Sequence, residues 1–189
     1  MRIISGHLKG LKLLLPKDKK TRPLRDMVKE NIFNLLTHSK KISSTITKSN
    51  VLDLYSGTGS FGLECLSRRA SNVTFVENGD QILVTLKKNI SNSNFKNETK
   101  IFCEDVLNFV KNYSNLKQKF DLIFCDPPFK ESNVNTILKL IFENKLLKKN
   151  GILILHRHKS ANQKFLDNFK IIEERTYGLS KIIFYKLLF

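Results

Sequence analysis

The chain has 189 residues, 41% hydrophobic and 26% charged, the profile of one globular domain with room for a small extension. No apolar run reaches the roughly 18 residues that span a membrane, and the N-terminus, Met1 to Gly6, lacks a signal peptide's long apolar core, so a cytoplasmic protein with no membrane partner is expected. Lysine and arginine number 33 against 17 acidic residues; the formal charge of +16 favours an anionic partner, although Lys, Asn, Ile and Phe are abundant together, as AT-rich coding DNA would produce.

In chain order, residues 2–5 and 11–15 flank His7-Leu8-Lys9-Gly10 and predict a hairpin ended by Pro16. Residues 17–25 form a basic connection, and Val28, Ile32, Leu35 and Leu36 have helical spacing to about residue 37. The Ser/Thr/Lys-rich stretch 40–49 predicts a loop between an extension, residues 1–40, and a main domain, residues 50–189. There strands alternate with helices: strand 51–54, helix 61–68, strand 72–76, helix 81–90, strand 100–103, helix 106–112, strand 120–125, helix 134–142, strand 151–155 and a short helix 161–168. Two last strands, 169–177 and 181–188, joined by Gly178-Leu179-Ser180, predict an antiparallel pair. The fold class is α/β: a seven-stranded, mostly parallel sheet with an antiparallel last strand and helices on both faces.

Two motifs carry chemistry. After the first strand, Asp53-Leu54-Tyr55-Ser56-Gly57-Thr58-Gly59-Ser60-Phe61-Gly62 places G-x-G-x-x-G in a strand-turn-helix context. Glu77 follows Gly57 by twenty residues, at the next strand end, where a carboxylate can accept from ribose hydroxyls. A pyrophosphate would be repelled by Asp53; a cationic cofactor would not. Asp53, Glu77, Asp105 and Asp126 sit at or just past four successive strand ends, and such crowding of like charges is costly unless something positive joins them. S-adenosylmethionine, with a sulfonium and an ammonium, fits. The structural alternative is that each acid caps the helix after it.

The second motif is Asp126-Pro127-Pro128-Phe129, after the apolar run 120–125. Open α/β sheets bind ligands at this end of their strands. The Asp126 carboxylate and the Pro127 carbonyl are acceptors for an amino group, Pro128 offers no N–H, and Phe129 can stack on a flat base. Two acceptors would hold an amine whose lone pair is delocalised, and would stabilise positive charge developing on nitrogen. A base amine and an amide nitrogen pose the same problem. RNA, DNA and protein glutamine therefore stay open as substrates, beside a non-catalytic RNA-binding module and an NAD-dependent oxidoreductase, the last disfavoured by Asp53. Cys65, Cys103 and Cys125 lack C-x-x-C spacing and read as buried free thiols. His156 and His158, two apart on a strand, face one side with no evident third ligand, and no metal is expected.

Asp53-x-x-x-Gly57-x-Gly59, Glu77, Asp105 and Asp126-Pro-Pro-Phe129, in that order, resemble a class I S-adenosylmethionine-dependent methyltransferase with its Rossmann-like fold. Arg2-Ile3-Ile4-Ser5-Gly6, Gly10-x-Lys12-Leu13 and Arg22-Pro23-x-x-Asp26-x-Val28-x-Glu30-x-x-Phe33-Asn34 narrow the resemblance to the bacterial RsmD family. Leu24 stands where that family usually has Thr, and Met27 and Lys29 where it usually has Arg. The resemblance implies methylation of the 2-amino group of a guanine in 16S ribosomal RNA, free or in a small-subunit particle. It implies that Asp53, Gly57 and Gly59, with Ser56 in the same turn, shape the methionine side of the cofactor pocket. Glu77 would take the ribose, Asp105 the adenine amine, and Asp126, Pro127 and Phe129 the target guanine. Arg2, Lys9, Lys12, Arg22 and Arg25 in the extension would contact RNA phosphates.

Overall fold

The structure, a computed structural model, describes residues 1–16, 24–42, 46–113, 118–161 and 166–188. After α1 (Asp26–His38) the elements run β1 (Asn50–Leu54), α2 (Ser60–Ser67), β2 (Asn72–Val76), α3 (Asp80–Asn92), β3 (Thr99–Phe102) and α4 (Val106–Asn112). They continue with β4 (Phe120–Cys125), α5 (Val134–Glu143), β5 (Leu147–His158), β6 (Phe169–Tyr177) and β7 (Ser180–Leu187). One seven-stranded sheet has the order β3-β2-β1-β4-β5-β7-β6. β1 to β5 pair in parallel, and β7 runs antiparallel to both β5 and β6, as expected.

The central strands are buried on both faces, so their alternate residues feed two cores. Val51, Leu122 and Phe124 face the layer of α1, α2 and α3; Leu52, Leu54, Ile123 and Cys125 face α4 and α5. The extension belongs to the first layer. Ile3, Leu13, Val28, Ile32 and Phe33 share one apolar core with Phe61, Phe75 and Phe184. The rings of Phe33, Phe61 and Phe124 stack in a column, with centroids 5.1 and 4.0 Å apart, from α1 through α2 to β4.

The N-terminal segment bends like a hairpin but forms one bridge, Arg2 with Lys12, rather than two strands. Ile3, Gly10 and Leu13 donate across the bend to Leu11 O, Ile3 O and Met1 O (2.9, 2.9 and 3.2 Å), but Ile4 and Ser5 donate to the Glu64 carboxylate (2.6 and 2.9 Å), and Leu14 donates to Asn89 Oδ1 (2.8 Å). Those outward bonds fasten the segment to α2 and α3. β5 begins earlier than the pattern predicts, at Leu147, and runs past the end of β4 to His158. Cys65 and Cys125 are buried as expected, but Cys103 is exposed: it lies just beyond β3, an edge strand with solvent beside it. The short helix at 161–168 falls largely outside the described residues. β6 forms the other edge, with a register shift between Ile171 and Glu173.

Lys29 and Glu64, both fully buried, hold the extension against α2. Lys29 Nζ donates to Arg2 O (2.7 Å) and Ser60 Oγ (2.9 Å) and lies 3.7 Å from Glu64 Oε2. Burial lowers the Lys29 pKa, and Glu64 opposes that shift. Removing one member of such a pair strands a buried charge, so Glu64→Ala should cost about 3–5 kcal/mol in urea unfolding. Adding Lys29→Met should recover part of this loss, measured as a positive coupling in a double-mutant cycle.

Candidate active site

A cavity of about 490 Å³ opens at the carboxyl ends of β1, β2 and β4, lined by Asp53, Ser56, Gly57, Glu77, Asp105, Asp126, Pro127 and Phe129 among others. Eight of the predicted residues thus meet in one place. Gly59 lies behind them, where a Cβ would come 2.5 Å from Leu86 of α3. Five carboxylates line the cavity, the fifth being Glu131, and no lysine or arginine among the described residues does. In a chain of charge +16 that segregation is the site's dominant electrostatic fact.

The turn after β1 is wound tightly. Tyr55, Gly57 and Gly59 all have positive φ (57°, 54° and 80°). Glycine adopts this conformation without strain; tyrosine does so at a cost and needs support. The support is local. Ser56 donates its amide and its hydroxyl to Val76 O (3.1 and 3.3 Å), and Tyr55 Oη donates to Glu131 Oε2 (3.3 Å). Burial pushes the Tyr55 phenol well above its ordinary pKa, so it remains a donor at neutral pH.

Three of the acids hold this framework by accepting backbone N–H groups. Asp53 Oδ2 accepts from Gly62 in the first turn of α2 (3.0 Å). Glu77 accepts from Gly57 (2.9 Å) through one oxygen and from Asn78 and Gly79 (3.0 Å each) through the other. Asp105 is the N-cap of α4 and accepts from Asn108 (3.1 Å). The capping alternative is therefore met in part, without spending each carboxylate's capacity of about four acceptor sites. Gly62 serves packing: a Cβ there would lie 2.4 Å from the Phe75 ring.

Asp126 follows β4 directly, and its amide donates to Leu54 O (3.3 Å). Its side chain is one-fifth exposed, Pro127 is buried and Phe129 is half-buried. Three neighbours escaped sequence reasoning. Tyr55 braces the loop through Glu131, as above. Arg157, nearly buried, donates to Pro128 O (3.5 Å) and Glu131 O (3.3 Å) from β5. His156, weighed only as a metal ligand, places Nδ1 2.8 Å from Asp126 Oδ1. A signal for His156 was present: parallel β4 and β5 align Cys125 with Leu155, so the next residues, Asp126 and His156, come abreast. Among the described residues no group of three metal-ligating side chains occurs. Arg2, Lys9, Lys12 and Arg25 are exposed on the extension, and Arg22 lies outside the described residues.

The family described as Conserved hypothetical protein 95 matches residues 1–186. The chain belongs to this family. It is 34% identical to the Haemophilus influenzae protein named Ribosomal RNA small subunit methyltransferase D, covering 95% of this chain and 90% of the relative. The Buchnera aphidicola (Acyrthosiphon pisum) protein of the same name is 33% identical, over 85% and 79% of the two chains. Among solved structures, Haemophilus influenzae HI0767 superposes with a TM-score of 0.80 at 32% identity, covering 100% and 99%. Escherichia coli yhhF gives 0.82 at 25%, covering 99% and 97%. The expected family, RsmD, and the expected Rossmann-like class I methyltransferase fold are thereby both established for this chain.

Burial raises the Asp53 pKa well above the usual carboxylate range; the Gly62 N–H opposes the shift, and Asp126 and Glu77 add to it. A raised folded-state pKa stabilises the fold at pH below the unfolded value, about 3.9, and that contribution is lost as pH climbs through the folded value. Asp53→Asn keeps an oxygen for Gly62 and removes the charge. Its melting temperature should exceed the wild type's at pH 7 and approach it towards pH 4; thermal unfolding across that range checks the sign.

Proposed function

We propose that this protein transfers a methyl group from S-adenosylmethionine to the exocyclic 2-amino group of a guanine in 16S ribosomal RNA, free or within a small-subunit particle. The observation that carries the proposal is the Asp126-Pro127-Pro128-Phe129 turn opening onto a cavity with five carboxylates and, among the described residues, no lysine or arginine. An anionic cofactor would be repelled there; a cationic one is favoured. Relatives named as ribosomal RNA small subunit methyltransferases support RNA as the substrate class. The choice of guanine's 2-amino group follows the resemblance to the RsmD family.

The residues present fit the cofactor. Once bound, S-adenosylmethionine supplies a methyl group on a positively charged sulfur. Asp53 places a carboxyl group at the floor of the pocket, whose charged form, disfavoured by burial, a cationic ligand would stabilise, and the Ser56-Gly57 turn lets backbone approach the ligand. Glu77, already fixed by three amides, has acceptor capacity left for ribose hydroxyls, and Asp105 has it for the adenine amine. Asp126 accepts one hydrogen of the target amine and the Pro127 carbonyl the other. That arrangement withdraws the lone pair from conjugation and stabilises the cation forming on nitrogen. Phe129 offers its face to the base, which must leave any stack to arrive. Holding the amine in line with the methyl group of a bound cofactor could lower the barrier by up to about 7–11 kcal/mol. Arg2, Lys9, Lys12, Arg22 and Arg25 would grip phosphates, which positions RNA without reading its sequence.

The test is transfer of labelled methyl to RNA, DNA and protein fractions from cells lacking this protein, with modified guanines mapped in the small-subunit RNA. Label is expected in one guanine of that RNA; label in DNA or protein alone would refute the reading. Asp126→Ala should lower kcat by at least about 10²-fold while calorimetry shows S-adenosylmethionine binding within a few-fold of wild type. In the same titration Asp53→Asn should weaken cofactor binding at least about tenfold, the equivalent of about 1.4 kcal/mol.

A further inference from the structure

His156 is 3% exposed, and neither ring nitrogen has an aligned hydrogen-bond partner among the described residues, which is rare for a buried polar group. Yet Nδ1 sits 2.8 Å from Asp126 Oδ1, within hydrogen-bond length but off its angle. A bare nitrogen lone pair facing a carboxylate oxygen at that distance is repulsive, so a proton belongs between them. A small turn of either side chain aligns it, and contacts of this kind commonly tighten when substrate arrives. The same imidazole meets the Phe129 ring edge-on, with centroids 6.0 Å apart and planes at 85°. His158, on the same side of β5, holds Phe129 from a second direction at 5.0 Å. Its own Nδ1 is engaged by Ser160 Oγ (2.6 Å).

We infer that His156 is a positioning residue for methyl transfer: it carries its proton on Nδ1, donates it to Asp126 Oδ1, and so fixes the acceptor carboxylate relative to the Phe129 ring. This deepens the proposed function and rests on it. With Oδ1 engaged, Oδ2 is turned to the incoming amine. The carboxylate would otherwise rotate about its last bond, and the aromatic wall would lose one of its supports. A single buried ring thereby sets the spacing between the group that holds the amine and the face that holds the base. The backbone brings it there because β5 extends beyond β4, and β7 pairs with that extension, aligning His156 with Ile182.

Two measurements test this on the full chain. In ¹⁵N-histidine NMR, His156 should appear as the Nδ1–H form, and Asp126→Ala should shift it towards Nε2–H, because the hydrogen bond sets the tautomer. In kinetics on small-subunit RNA, His156→Phe keeps a ring and loses the donor. It should lower kcat by up to about 10²-fold with KM for S-adenosylmethionine within about twofold, the penalty of a misplaced reacting group. His156→Asn, which restores a donor near the Nδ1 position, should recover most of the rate. A wild-type Nε2–H form, a fully active His156→Phe, or equal losses in both variants would each overturn the inference. Should the wild type fail to methylate RNA, the proposed substrate falls, and the NMR result alone decides whether His156 holds Asp126.

Discussion

The Glu64 carboxylate is the point from which much of this molecule is hung. It is fully buried, yet it accepts from the Ile4 and Ser5 amides and the Arg68 guanidinium and faces the Lys29 ammonium. These partners come from three pieces of structure: the N-terminal bend, the C-cap of α2 and α1. A buried charge persists only when its surroundings satisfy it completely, so these pieces must come together in one arrangement or not at all. Lys29 extends the constraint to the site, because its bond to Ser60 Oγ ends on the first residue of α2, directly after Gly59. The basic segment and the glycine turn are consequently set by one polar cluster.

From that cluster the site inherits two properties. One is shape: the Phe33, Phe61 and Phe124 column continues from α1 into the cavity wall, so the position of the extension and the floor of the pocket are not independent. The other is charge. Apart from Lys29 and Arg157, the described lysines and arginines lie at least partly on the outer surface, whereas the cavity collects carboxylates whose mutual repulsion is restrained by backbone amides. Asp53, Glu77 and Asp105 thus act as scaffold, to which the proposed function adds cofactor recognition, and the strain at Tyr55 is borne by the loop it must face.

Much of this was legible in the sequence because it depended on short-range pattern. The apolar runs of β1, β2 and β4 and the spacing of α5 (Val134, Ile137, Leu138, Ile141) gave the elements almost to the residue. Since the strands are parallel, every acid that follows one lands at the same end of the sheet, and the motif residues converge for that reason alone. What was hidden depended on long-range partners. Nothing local says that Ile4 and Ser5 will bond a glutamate some sixty residues on instead of a facing strand. Nor does the Leu-His-Arg-His run near the end of β5 say that one histidine turns to Asp126 while the next residue clamps Pro128. The exposed side of Cys103 likewise follows from β3 lying at the edge, a property of the sheet order and not of the strand.

The outer strand β6 has a consequence of another kind. Its free edge is long enough to invite a second molecule to continue the ladder. The slip between Ile171 and Glu173 breaks the even spacing of that edge, and Lys170, Glu174 and Arg175 stand exposed on either side of it. A neighbouring strand would meet a kink and charges of both signs where it needs a flat, regular row of amides and carbonyls. The sheet is thereby terminated at β6, and strand-to-strand growth is disfavoured there without a further element among the described residues to cover the edge.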